Sequence, residues 1–138
     1  MGSPRSLTKK QIVELLAKGE SLADLDMRGL DLSGVAFDGG NLQRAKLAEC
    51  NLTRSTFRRA NLANASLWHS ECKDASFDEA NLEEADFDYA NLDGCSFRNA
   101  KIKKAIFPFT KLSLESVQDS VRTGKKVRME RGKLDDEE

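Results

Sequence analysis

Residues 80–94 read Ala80-Asn81-Leu82-Glu83-Glu84, Ala85-Asp86-Phe87-Asp88-Tyr89, Ala90-Asn91-Leu92-Asp93-Gly94. The order is a small residue, a polar one, a large apolar one and two variable ones, three times over. Extending that frame both ways gives nineteen apolar centres spaced by five, from Leu22 to Leu112. Two residues before each centre from Leu47 to Phe107 stands only Ala, Ser or Cys, beginning at Ala45 and ending at Ala105. Such a period decides the fold before any local propensity does. In an α-helix, five residues advance about 500°, so successive centres would turn by about 140° and never share a face. In a flat strand an odd step puts each centre on the opposite side from the last. A period of five requires a chain that bends once per unit and returns every centre inward. The large residue then fills the interior and the small one lies at the bend.

The charges give the number of sides. Coils stack about 4.8 Å apart, so like charges directly above one another are unfavourable. Within residues 20–112, a turn of fifteen residues superposes six opposite-sign and four like-sign pairs, and a turn of twenty-five gives seven and three. A turn of twenty gives ten opposite pairs and no like pair, among them Asp24/Arg44, Asp38/Arg58, Arg59/Glu79, Asp78/Arg98 and Glu84/Lys104. It also aligns Phe37, Phe57, Phe77 and Phe97 in one interior column and Asn41, Asn61 and Asn81 in another. Four sides per coil follow, in a stack about 23 Å tall.

Both ends carry different signals. Thr8 with Gln11 makes a capping box, Leu7 can staple to Ile12, and Ile12, Leu15 and Leu16 share a helical face that stops at Gly19. Leu25, Leu30 and Val35 fill small-residue positions of the first coil, where the N-terminal helix is expected to pack. Pro108, Phe109 and Thr110 break the pattern at the other end, Pro108 by removing a ladder donor. Ser113 then reads as the cap of a second helix whose apolar face is Leu114, Val117 and Val121. The expected organisation is an N-terminal capping helix (1–19), a repeat region (20–112), a C-terminal capping helix (113–124) and a charged flexible tail (125–138). Residues 1–6 are expected to be loose.

The runs quoted above, with Ala60-Asn61-Leu62-Ala63-Asn64, resemble the A-(D/N)-L-x-x units of pentapeptide-repeat proteins. The resemblance implies an all-β solenoid, a right-handed quadrilateral β-helix, in agreement with the four-sided register. The role expected of such a shape is that of a non-enzymatic binding or scaffold module. Some members of that family act as DNA mimics that bind type II topoisomerases and protect against quinolones.

With 33% charged and 39% hydrophobic residues, the chain cannot build a thick core, and repetition replaces it with one covered neighbour by neighbour. A net charge of −1 argues against whole-chain attraction to nucleic acid or to an anionic membrane. No apolar run suits a bilayer or a signal peptide, so a cytoplasmic protein is expected. Cys50, Cys72 and Cys95 occupy small or apolar repeat positions and are expected to be reduced and buried. One histidine and three cysteines without ligand spacing give no metal site. No phosphate loop and no nucleophile–base pair are present, so no enzyme, cofactor or small-molecule substrate is expected.

Two surfaces remain. The chain's single Trp, His and Tyr fall on outward positions of two adjoining columns, Trp68 and His69 on one coil and Tyr89 on the next, with Phe109 below. Outward aromatic residues anchor protein interfaces, so a protein partner or a homodimer is the expected ligand, unless the C-terminal helix or the tail folds back over them. The second surface is the stretch 71–93, with nine acids and one lysine, in which Glu71, Asp78, Glu83, Glu84, Asp86 and Asp88 would imitate a DNA backbone. Several of these acids have a basic residue one coil away, and the stack spans only about seven base-pair steps, so a charge ladder that sets register is the stronger reading. The bases between Arg122 and Lys133 are followed by Asp135–Glu138, and a self-neutralising tail with no direct nucleic-acid binding is expected.

Overall fold

The computed structural model of the chain describes residues 7–108 and 111–128, without the side chains of 111–113. Parallel bridges join residues twenty apart along the repeat, from Asp26 with Lys46 to Asp86 with Ile106. The chain therefore coils with twenty residues per turn, and each coil contains four five-residue sides.

One unit shows why the sequence obeys this frame. In residues 60–64 all five backbone donors are used. Asn61 N donates to Gly40 O (2.9 Å) in the coil before, and Leu62 N and Asn64 N donate to Asn81 O (2.8 Å) and Glu83 O (2.9 Å) in the coil after. Ala60 N closes the preceding turn onto Phe57 O (3.1 Å). The fifth donor, Ala63 N, faces neither coil and goes to Asn61 Oδ1 (3.1 Å). That is the reason for Asn or Asp before the apolar centre: its short side chain accepts the one N–H that the ladder omits. Asn51, Asn81, Asp86 and Asn91 repeat the bond to Thr53, Glu83, Asp88 and Asp93. The Asn column is consequently not interior. Asn41 is exposed and Asn61 and Asn81 are half-buried, because an interior amide would abandon this acceptor role.

Each turn closes from the centre's carbonyl to the small residue three positions on, with positive φ at the residue before it, the type II signature. Non-glycine residues take this conformation repeatedly, including Asn64 (φ 61°), Glu79 (61°) and Tyr89 (63°). Their side chains point away from the stack. The centres point inward, buried from Leu22 to Phe97 and partly buried at Ile102 and Phe107, and Phe37, Phe57, Phe77 and Phe97 stack with ring centroids 4.7, 4.9 and 5.1 Å apart. The small positions lie against carbonyls of the coil above: Ser55 Oγ donates to Leu32 O (2.8 Å) and Cys50 Sγ to Met27 O (2.9 Å). At coil spacing nothing longer fits there.

At the upper end, α1 (Lys9–Ala17) has Thr8 as N-cap and both halves of the capping box. Ile12 is buried in one apolar cluster with the first coil; Leu15, Leu16, Leu25 and Leu30 pack against that cluster, and Lys9 Nζ donates to Ser33 O (2.8 Å). At the lower end, α2 (Lys111–Thr123) lies against the last coil. Ser120 Oγ accepts Phe97 N–H (2.9 Å), Val121 O accepts Asn99 N–H (3.0 Å) and Val127 O accepts Gly94 N–H (2.7 Å). In earlier coils these donors bond the coil below, so α2 and Val127 stand in for a missing coil.

Four expectations at this end are corrected. The helix begins at Lys111, so Ser113 lies inside its first turn and is not its N-cap. Leu112 belongs to α2 and not to the repeat, since Thr110 stands where its unit needs a small residue. Pro108 removes no ladder donor: it occupies the turn position whose N–H bonds a preceding polar side chain, and Ile106 before it has no acceptor. Residues 125–128 are not a loose tail, because Val127 is buried and its N–H bonds Cys95 O (2.7 Å). Residues 1–6, Phe109 and the acids Asp135–Glu138 lie outside the described residues.

Candidate interaction surface

The outward Trp, His and Tyr stand at the corner after Leu67 and Phe87. Trp68 and His69 are the two turn residues after Leu67, and His69 takes the positive-φ position (59°). Twenty residues on, Asp88 and Tyr89 repeat the turn. The backbone here is held from both sides, with Glu49 N donating to Trp68 O (2.9 Å) and His69 N to Asp88 O (2.8 Å). The side chains make no hydrogen bond among the described residues. They touch each other. Ring centroids are 5.1 Å apart for Trp68–His69, 6.1 Å for Trp68–Tyr89 and 6.2 Å for His69–Tyr89, the last pair stacked and the Trp–Tyr pair edge-to-face.

Neither α2 nor residues 124–128 cover them. Trp68 keeps 38% of its surface exposed and Tyr89 67%, and His69 is exposed as well. Phe109, the fourth residue assigned to this surface, lies outside the described residues. One contributor escaped the sequence reading. Asp88 belongs in sequence to the acidic stretch, but the twenty-residue register puts it one coil below Trp68 in the same column. Arg28 heads that column and is engaged by Asp26, whose carboxylate accepts Arg28 Nε and Nη2 (2.8 and 2.7 Å). That bond, first among the causes, holds the Asp26 carboxyl down to about 2.

The acidic stretch separates into two kinds of residue. Asp78 accepts the Arg98 backbone N–H (3.0 Å) and the Ser96 hydroxyl, Asp86 accepts Asp88 N–H (2.9 Å), and Glu71 accepts Asn91 Nδ2 (2.6 Å). Those three carboxylates serve the scaffold. Glu83, Glu84 and Asp88 make no side-chain hydrogen bond among the described residues. The charge register expected from sequence is present in part as ion pairs, Arg44–Asp24 (2.8 Å) and Arg59–Glu79 (3.6 Å). Asp38 and Asp78 instead receive the backbone N–H groups of Arg58 and Arg98.

The cysteines are free and buried, and burial pushes the Cys50 thiol up to about 11 and the Cys72 thiol to about 12. Thiolate chemistry is thereby suppressed. Among the described residues no cluster of His, Cys, Asp and Glu could hold a metal ion, and no helix is long and apolar enough to cross a membrane.

The family model described as pentapeptide repeats matches in eight copies over residues 21–54, 55–88 and 80–114. A search of curated proteins finds no match. Among solved structures, a pentapeptide repeat protein from Nostoc Pcc 7120 is similar with a TM-score of 0.68 and 27% identity, over 83% of this chain and 95% of that one. A pentapeptide repeat protein from the Arabidopsis thaliana thylakoid lumen is similar with a TM-score of 0.57 and 35% identity, over 58% of this chain; the chain covers just 55% of that protein's length. The matched residues take in the coils in which the ladder, the small slots and the Asn or Asp acceptors repeat, and the chain belongs to the pentapeptide-repeat family.

Proposed function

We propose that this chain is a non-enzymatic binding or scaffold module that engages another protein, or its own copy, through the Trp68–Tyr89 corner. In this reading the twenty-residue coils form a right-handed quadrilateral β-helix. The helices α1 and α2 close its ends, and the module works in the cytoplasm. One observation carries the proposal: three aromatic side chains stand outward on a scaffold that makes no structural use of them. Exposed Trp and Tyr in contact supply rigid apolar area with polar tips, the composition of interface anchors. A variant carrying Trp68→Ala and Tyr89→Ala is expected to fold normally and to lose association in light scattering and in pull-downs. Unchanged association at both readouts would refute the proposal.

A second reading is a DNA mimic that binds a type II topoisomerase. The carboxylates of Glu83, Glu84 and Asp88, which have no scaffold bond, support it. Asp78, Asp86 and Glu71 weaken it, because their carboxylates are already occupied. A gyrase supercoiling assay separates the two readings. An effect of micromolar protein on supercoiling or on quinolone poisoning supports mimicry, and its absence removes it.

A further inference from the structure

We infer that the segment received by the Trp68–Tyr89 corner is cationic, and that an arginine side chain of the partner stacks on the exposed rings while neighbouring carboxylates take its N–H groups. This rests on the reading of the corner as a binding surface and adds the chemistry of what it binds.

The argument comes from what surrounds the rings. Glu49 lies one coil above His69 in the same column and is exposed, and Asp88 lies one coil below Trp68. Neither closes an ion pair among the described residues. On the columns to either side stand Asp86 and Glu71, whose carboxylates each accept one hydrogen bond from the scaffold and keep further acceptor capacity. The bases near the corner are few. Lys46 bridges Ser66 one coil up on the preceding column, and Arg28 is two coils above Trp68 with its guanidinium already held by Asp26. The rings are therefore exposed faces set in negative potential. A neutral apolar partner would bury Asp88 without compensation and would desolvate Glu49 with only the Asp26-bound Arg28 charge nearby, which is costly. An acidic partner would be repelled.

A planar guanidinium satisfies both features at once. It stacks on aromatic faces, and its N–H fork reaches carboxylates at the edge of the ring. Coil spacing of about 4.8 Å puts Glu49 one step above His69 and Asp88 one step below Trp68, beside Tyr89 on the same turn. Lysine offers a point charge without the stacking plane, so the same site should prefer arginine.

Trp68 is the single tryptophan of the chain, so its emission reports this site directly. The probe is a blocked Arg-Gly-Arg-Gly-Arg peptide titrated into the full chain at low salt, beside its Lys and Glu counterparts. A saturable change with the Arg peptide, about tenfold weaker binding of the Lys peptide and no change with the Glu peptide are expected. The variant Glu49→Gln with Asp88→Asn, which touches no scaffold bond, should weaken Arg-peptide binding about tenfold. Glu14→Gln with Glu20→Gln, which removes the same charge far from the corner, should leave it unchanged. Equal responses to the Arg and Glu peptides, or wild-type affinity in the Glu49/Asp88 variant, would overturn the inference. If that happens while Trp68→Ala with Tyr89→Ala still abolishes association, the corner binds a partner of other chemistry. If the aromatic variant is also without effect, the corner reading itself falls.

Discussion

Two corners of the same stack, built from the same turn, use their side chains in opposite ways. At the corner through Arg58, Asp78 and Arg98, nearly every polar group is committed to the scaffold. Asp38 takes Arg58 N–H (2.9 Å), Asp78 takes Arg98 N–H (3.0 Å), Arg59 pairs with Glu79 and Arg98 Nη2 donates to Thr123 O (2.9 Å). The reason is local. Thr56 and Ser96 stand where Asn or Asp would have accepted those N–H groups, so a carboxylate from the coil above replaces them. At the Trp68–Tyr89 corner, Ser66 and Asp86 precede the centres, and the side chains of the turn residues below Arg28 make no hydrogen bond among the described residues. A side chain with no structural task, large, aromatic and exposed, is one that a binding role can explain.

The contrast can be broken by substitution. The largest effect should come from Phe77→Ala, in the interior column behind the Asp78 corner, where losing two stacked partners costs about 3–5 kcal/mol in urea unfolding. It sets the scale for both corners, since each hangs from the same core. Next comes Asp78→Ala, which strands the Arg98 N–H and the Ser96 hydroxyl and should cost about 1–2 kcal/mol. Asp78→Asn keeps an acceptor oxygen and should lose clearly less. If the two variants are equally destabilised, charge and not backbone acceptance is what Asp78 supplies. Below these, His69→Val and Glu79→Val each put a β-branched residue at positive φ and should each cost about 1 kcal/mol. Equal costs would show that the corners share one turn and differ only in what they display.

The smallest effect concerns the top of the aromatic corner, where Arg28 is held by Asp26. The folded Asp26 carboxyl titrates at about 2, below its unfolded value, so its contribution is fully present above about pH 4 and is lost as pH falls through about 2. The pair is exposed and solvent-screened, so the slope should be slight, and Asp26→Asn should remove it from the pH dependence of the urea midpoint.

Much of the fold was legible because a strict period makes each residue report on its neighbours one coil away. The twenty-residue register followed from charges, and the phenylalanine stack followed from the register. The capping box at Thr8 and Gln11 was legible because it is a purely local signal. What escaped was the destination of backbone donors. Asn61 read as an interior column because its period is perfect, but its task is to accept Ala63 N–H, which only the turn geometry reveals. The positive φ at Glu79 and Tyr89 was hidden because neither is the glycine or asparagine that ordinarily marks a left-handed turn position. Val127 was lost in a run of lysines and arginines, since a single apolar residue carries no periodicity. The candidate corner was visible through residue rarity, whereas the place of Asp88 within it required counting twenty on from Trp68.

The most direct test places the two corners side by side in one experiment, with Trp68→Ala/Tyr89→Ala and Asp78→Ala compared in urea unfolding and in light scattering with pull-down. The account expects the aromatic variant to keep its urea midpoint and lose association, and the Asp78 variant to lose about 1–2 kcal/mol of stability and keep association. An aromatic variant that unfolds early, or that associates as the native chain does, would contradict the claim that this corner is a binding surface and not part of the scaffold.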